Sequence, residues 1–130
     1  MTVSPIRANF LSENGNNTVR NYTTLKRKND FSRLYRNSTS AKGRSAVILV
    51  RQNRTGATRI GFSVSKKIGN AVKRNRARRR LREAVYKYND SIRKGFDIVF
   101  VARSNDREMP FDKLVRDVGV LFEKTGVLEK

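Results

Sequence analysis

Nine of the seventeen residues from Lys66 to Arg82 are lysine or arginine, and none is aspartate or glutamate. Cations at this density repel one another unless a polyanion neutralises them, so the chemistry on offer is phosphate binding. The charges are also ordered. At about 100° per residue on a helix, Ala77, Leu81, Ala84, Val85 and Tyr88 share one side. Asn75, Arg78, Arg79, Arg82 and Tyr86 fall on the other, and Lys73, Arg76, Arg80 and Lys87 line a flank. One face can dock on a core while the remaining circumference presents cations to RNA or DNA.

Covalent chemistry has few candidates. The chain contains no His and no Cys, which removes imidazole acid–base catalysis, thiol nucleophiles and ordinary zinc sites. Its eleven carboxylates are scattered between Glu13 and Glu129, and no pair has a metal-ligand spacing. Asp112 and Asp117 fall on the polar side of the last expected helix, where solvation is the expected role. The chain therefore reads as a binder with no catalytic residue of its own.

Two further groups could contribute to binding. Lys66, Lys67, Lys73 and Arg74 surround the expected start of the basic helix, where cations oppose the helix dipole. Free backbone N–H groups and these cations together suit a phosphate, whereas the plainer alternative is a set of exposed lysines at a strand end. Just before them, Ile60, Phe62 and Val64 share one strand face, and Gly61, Ser63 and Ser65 share the other. Small side chains there leave a shallow floor on which a nucleic-acid strand could lie. Phe31 and Tyr35, four residues apart on an expected helix, form either a stacking platform for bases or an ordinary core pair.

The elements that must position these residues come from a chain of 130 residues, enough for one small domain with a modest core. Its net charge of +19 points to a nucleic acid, and less strongly to an anionic membrane. No apolar run approaches the length of a membrane span, and no secretory signal is visible. Together with the missing cysteines this suggests a cytoplasmic protein. Residues 1–21, rich in Asn, Ser and Thr, read as a disordered extension. The domain is expected over 22–126, with 127–130 as a C-terminal tail. Within it the pattern predicts a helix from about Asn29 to Asn37, a small-residue loop at Thr39–Arg44 and a buried strand at Ala46–Val50. A turn at Asn53–Gly56, a strand at about Thr58–Lys66 and the basic helix at about Asn70–Tyr88 follow. A strand at Phe96–Ala102 comes next. Phe111, Leu114, Val115, Val118, Leu121 and Phe122 mark a final amphipathic helix ended by Gly126. Helices and strands mix without regular alternation, which is an α+β class.

The run Ser63-Val64-Ser65-Lys66-Lys67-Ile68-Gly69-Asn70-Ala71-Val72-Lys73-Arg74-Asn75-Arg76, with Arg79 and Arg82-Glu83 after it, resembles the signature of the bacterial ribonuclease P protein subunit. The resemblance extends from about Tyr22 to about Glu123. It implies an α-β-β-β-α-β-α order, a four-stranded sheet packed with three helices, and a left-handed crossover through the basic helix. It also implies a non-catalytic protein partner of an RNA-based endonuclease that removes 5′ leaders from precursor tRNA. The implied partners are ribonuclease P RNA and precursor tRNA, with no membrane and no further protein required. Magnesium, held mainly by the RNA, is the implied cofactor. On this resemblance Lys66, Lys67, Lys73, Arg74, Asn75, Arg76, Arg78, Arg79 and Arg82 would bind the RNA subunit. Phe31, Tyr35, Leu49, Ser63 and Ser65 would line the leader cleft. Family members often carry a cleft aromatic on the first strand, where this chain has Val47-Ile48-Leu49-Val50. The alternatives are a ribosomal or other structural RNA-binding protein and, more weakly, a DNA-binding nucleoid protein lacking any helix-turn-helix.

Overall fold

The computed structural model describes residues 22–25, 28–103 and 108–129, with the backbone alone described for 28–30. The extension expected over residues 1–21 lies outside them. Among the described residues five strands and three α-helices follow in order: β1 (Thr23–Thr24), α1 (Lys28–Arg36), β2 (Thr39–Lys42), β3 (Ala46–Gln52), β4 (Arg59–Ser63), α2 (Ala71–Tyr86), β5 (Phe96–Ala102) and α3 (Phe111–Thr125). Short 3-10 turns at Lys66–Ile68 and Asn89–Ser91 flank α2. The order of elements from α1 onward is the one expected.

One mixed sheet, β1-β4-β5-β3-β2, holds the fold together. β5 pairs antiparallel with β3 and parallel with β4, so the chain between β4 and β5 must cross over, and α2 is that crossover. The sheet has five strands where four were expected, because the two-residue β1 pairs parallel with β4. Thr39–Lys42, expected as a loop, is edge strand β2, paired with β3 from Thr39↔Val50 to Lys42↔Val47.

Strand side chains alternate between faces, and here the alternation separates two clusters. Ala46, Ile48, Val50, Ile60, Ile98 and Phe100 face α2 and α3, where Leu81, Ala84, Val85, Leu114, Val118, Leu121 and Phe122 close the main core. Phe100 stacks on Phe62 at 5.8 Å and meets Phe122 edge-on at 5.5 Å. Each such burial is worth about 1.5–3 kcal/mol relative to exposure. On the opposite face Val99 joins Leu25 and Leu34, with Phe31, Leu49 and Val101 packed around them under α1.

Residues 127–129, expected as a tail, are tied back to the domain. Val127 is fully buried, its carbonyl accepts from Arg93 N at 2.7 Å, and Glu129 N donates to Ser91 O. Asp117, expected to be solvated, instead latches the β2–β3 turn to α3. It accepts from Ser45 N at 2.9 Å, from Arg44 N at 3.3 Å and from the Ser45 hydroxyl.

Candidate nucleic-acid interface

The backbone at the start of α2 explains why its cations stand where they do. Ser65 accepts from Lys67 N at 3.3 Å and caps the 3-10 turn that carries Lys66 and Lys67. Gly69 then takes φ 143°, a region that disfavours side chains, and a Cβ there would lie 2.7 Å from Lys73 Cδ. Asn70 caps α2 by accepting from Lys73 N at 3.0 Å. No carboxylate occupies the first turn of α2, so a neutral amide does the capping and the positive end of the dipole stays uncompensated. Val72, 75% exposed, and exposed Lys73 stand beside it.

Along α2 the charges fall on different sides. Arg79 is exposed, and Arg78 and Arg82 are half-exposed, with Arg78 donating to Asn75 Oδ1 at 3.1 Å. These four residues form the open cationic face. Arg74 is half-exposed like Arg78 and Arg82 but lies on a different side of α2. It sits two turns before buried Leu81, so its side chain starts on the inward side; its Nε is buried without a hydrogen-bond partner. Arg76 is engaged as well, donating to both carboxylate oxygens of Glu108. That contact holds the Glu108 carboxyl below the usual range and raises the Arg76 guanidinium.

The second candidate surface lies on the sheet face under α1. Three cross-strand rows follow from the register: Arg51–Asp97–Arg59, Leu49–Val99–Gly61 and Val47–Val101–Ser63. The first row is closed by ion pairing, with Arg59 donating to Asp97 at 2.9 and 2.7 Å and Asn53 adding a third bond. The middle row is covered by α1 at Val99 and Gly61 but is half-exposed at Leu49. Phe31 rests over Gly61, where an added Cβ would lie 2.7 Å from Phe31 Cζ and 2.8 Å from the Leu25 carbonyl. Gly61 is therefore not open floor, because Phe31 lies on it, while Phe31, Leu49 and Val101 are partly buried side chains packed against the cluster beneath the helix.

The third row is half open along its length, beside half-exposed Leu49. Val47, Val101 and Ser63 are half-exposed, and Tyr35 stands at its edge, 54% exposed, donating to Ser63 Oγ at 3.2 Å. Lys42 pairs with Val47 at the β2 end of the row. At the other end the chain leaves Ser63 and reaches Ser65, Lys66 and Lys67 within four residues. The structure thus brings together Tyr35, Ser63 and, through chain continuity, the Ser65–Lys67 junction. It adds Val47 and Val101, which strand parity with Leu49 and Val99 could have revealed.

Known proteins resemble this chain in sequence and fold. A family model for ribonuclease P matches residues 19–126. The ribonuclease P protein component of Symbiobacterium thermophilum is 42% identical over 107 residues, covering 82% of this chain and 93% of that protein. That of Clostridioides difficile is 36% identical over 105 residues, covering 79% and 91%. Among solved structures, the RNase P protein of Staphylococcus aureus superposes with a TM-score of 0.73 at 30% identity, covering 82% of this chain and 97% of that one. The Thermotoga maritima protein gives 0.68 at 28% identity, covering 77% and 96%. With the basic helix, its glycine-linked cap and the sheet all inside the matched span, this chain belongs to the ribonuclease P protein family.

Proposed function

We propose that this chain is the protein subunit of ribonuclease P, binding the enzyme's RNA through α2 and holding the 5′ leader of precursor tRNA in the cleft beside α1. The observation that carries this reading is the junction at residues 63–67. A half-exposed apolar row edged by Tyr35 runs there into an uncompensated, cation-flanked helix start. Apolar floor and aromatic edge suit unpaired bases, and the helix start suits phosphate. Double-helical RNA would gain little from such a floor, because its bases are stacked away. A purely structural RNA-binding protein would need the cations but not the cleft.

Among the described residues no group of three or more His, Cys, Asp or Glu side chains gathers that could hold a metal ion. We assign the magnesium ions to the RNA subunit, and to the protein the tasks of orienting the leader and screening the two RNAs from each other. Also among the described residues, no helix is long and apolar enough to cross a membrane.

The test uses the full chain with a bacterial ribonuclease P RNA and precursor tRNA at low magnesium. Stimulated release of the leader is expected. Replacing Arg78, Arg79 and Arg82 with Ala should weaken RNA binding and flatten its salt dependence by roughly 0.7–0.9 per lost phosphate contact in the log–log slope. A wild-type slope in the triple variant would show that this face does not bind the RNA.

A further inference from the structure

Arg76 and Arg80, one turn apart on α2, meet the chain before α3 in two different ways. Arg76 donates through Nε and NH2 to the two oxygens of Glu108 at 2.5 and 2.9 Å, and both side chains stay half open, 52% and 48% exposed. Arg80 is only 15% exposed and donates to the backbone carbonyl of Met109, with Glu108 3.8 Å from its other terminal nitrogen. Arg80 therefore fastens the chain at residues 108–109 to α2, whereas Arg76 is covered by a side chain alone. The paired N–H groups of a guanidinium fit a carboxylate and a phosphate with the same two-pronged geometry. Glu108 thus places two oxygens where a phosphate would place its own.

We propose that Glu108 is an internal stand-in for an RNA phosphate at Arg76, displaced when α2 meets its RNA. The inference rests on α2 being the RNA-binding face and adds which cation is exchanged, and against what. An exposed ion pair is weak, so a phosphate already positioned by contacts at Arg79 and Arg82 can take Arg76 from it. Isolated small anions lack that positioning. The displaced carboxylate is not stranded, because Arg80 remains beside it. The cation that the sequence marks for RNA is thus paired in the free protein, which also eases the repulsion along this flank.

The experiment measures affinity for ribonuclease P RNA against salt for the full chain and four variants. R76A should bind more weakly, with a slope shallower by about 0.7–0.9, because its phosphate contact is gone. E108Q should bind about two- to five-fold more tightly, the worth of an exposed pair. Its slope should match the wild type, since the same phosphates are neutralised. Glu123, exposed on α3 and without an ion-pair partner among the described residues, supplies the charge control, and E123Q should change nothing. A steeper slope in E108Q with no effect of R76A would overturn the proposal, showing that Glu108 shields Arg76 permanently. So would tightening by E123Q equal to that by E108Q, or no tightening by E108Q. The double variant R79A/R82A separates the two failures: if it too binds normally, α2 is not the RNA face at all.

Discussion

The same three strands carry two faces of opposite character. Toward α2 and α3, Ile48, Ile60, Ile98 and Phe100 are no more than 1% exposed and interlock with two helices. Toward α1, one nine-residue helix buries Val99 and Gly61 and leaves Leu49 and the next row, Val47–Val101–Ser63, half open. Consecutive residues therefore serve different ends: Phe100 belongs to stability and Val101 to the accessible surface. A sheet can separate folding from binding in this way because its side chains alternate with period two, so either face can change without the other.

The largest effect should come from the closed face. Phe100→Ala removes a fully buried ring and should cost about 3–5 kcal/mol in denaturant unfolding. Val101→Ala, its half-exposed neighbour, should cost about 1 kcal/mol. Equal losses would show that the two faces are not energetically distinct. Next is Gly61→Ala, whose new methyl group meets the Leu25 carbonyl and the Phe31 ring. Overpacking of this kind should cost about 1–3 kcal/mol, and an unchanged melting temperature would mean that α1 lies more loosely over the sheet.

Tyr35→Ala tests the open face by function. In the assembled enzyme it should weaken precursor tRNA binding by roughly 1–3 kcal/mol for one lost stacked base, with mature tRNA binding unchanged. Stability of the free protein should hardly move, since the ring is more than half exposed. Phe31→Leu should behave in the opposite sense, lowering stability first, because Phe31 packs over Gly61. Equal loss for both tRNAs would remove Tyr35 from the leader cleft. The smallest effect concerns Glu108. Its carboxyl is held below its ordinary value of 4.5 chiefly by the hydrogen bond from Arg76. The clasp therefore stabilises the fold above that pH and is lost as pH falls through the lower folded value. Acid titration of stability should be slightly flatter in Glu108→Gln, and identical curves would mean that the clasp contributes nothing to folding.

What could be read from the sequence follows from where apolar residues recur. Ala46–Val50 and Phe96–Ala102 are near-continuous apolar runs, and α3 repeats Leu114, Val118, Leu121 and Phe122 at helical spacing, so each was visible. Thr39–Lys42 was not, because Thr39, Ser40 and Lys42 are exposed, only the small Ala41 packs on the core, and the pairing with β3 is made by the backbone. Asp117 was misread because its partners, Arg44 and Ser45, lie more than seventy residues away in the chain. At the interface the basic face was evident from spacing, but the burial of Arg74 Nε and the pairing of Arg76 depend on what α2 packs against. Phe31 and Tyr35 share a helical face on paper. Only the position of Gly61 beneath one and Ser63 beneath the other sends the first inward and leaves the second exposed.

The strand order has a consequence for time rather than stability. β5 is the last strand in the chain and the middle one in the sheet, so β3 and β4 must wait, with a strand-wide gap between them, until it arrives. The segment that delivers β5 is α2, which has to settle over the forming sheet carrying most of its like charges. Late, non-local closure of this kind is slow and leaves unpaired backbone open to other chains. Multivalent anions that quiet α2 should speed the closing step itself, so that refolding rates rise with sulfate and more steeply with RNA. The partner of the finished protein would then also act as its midwife.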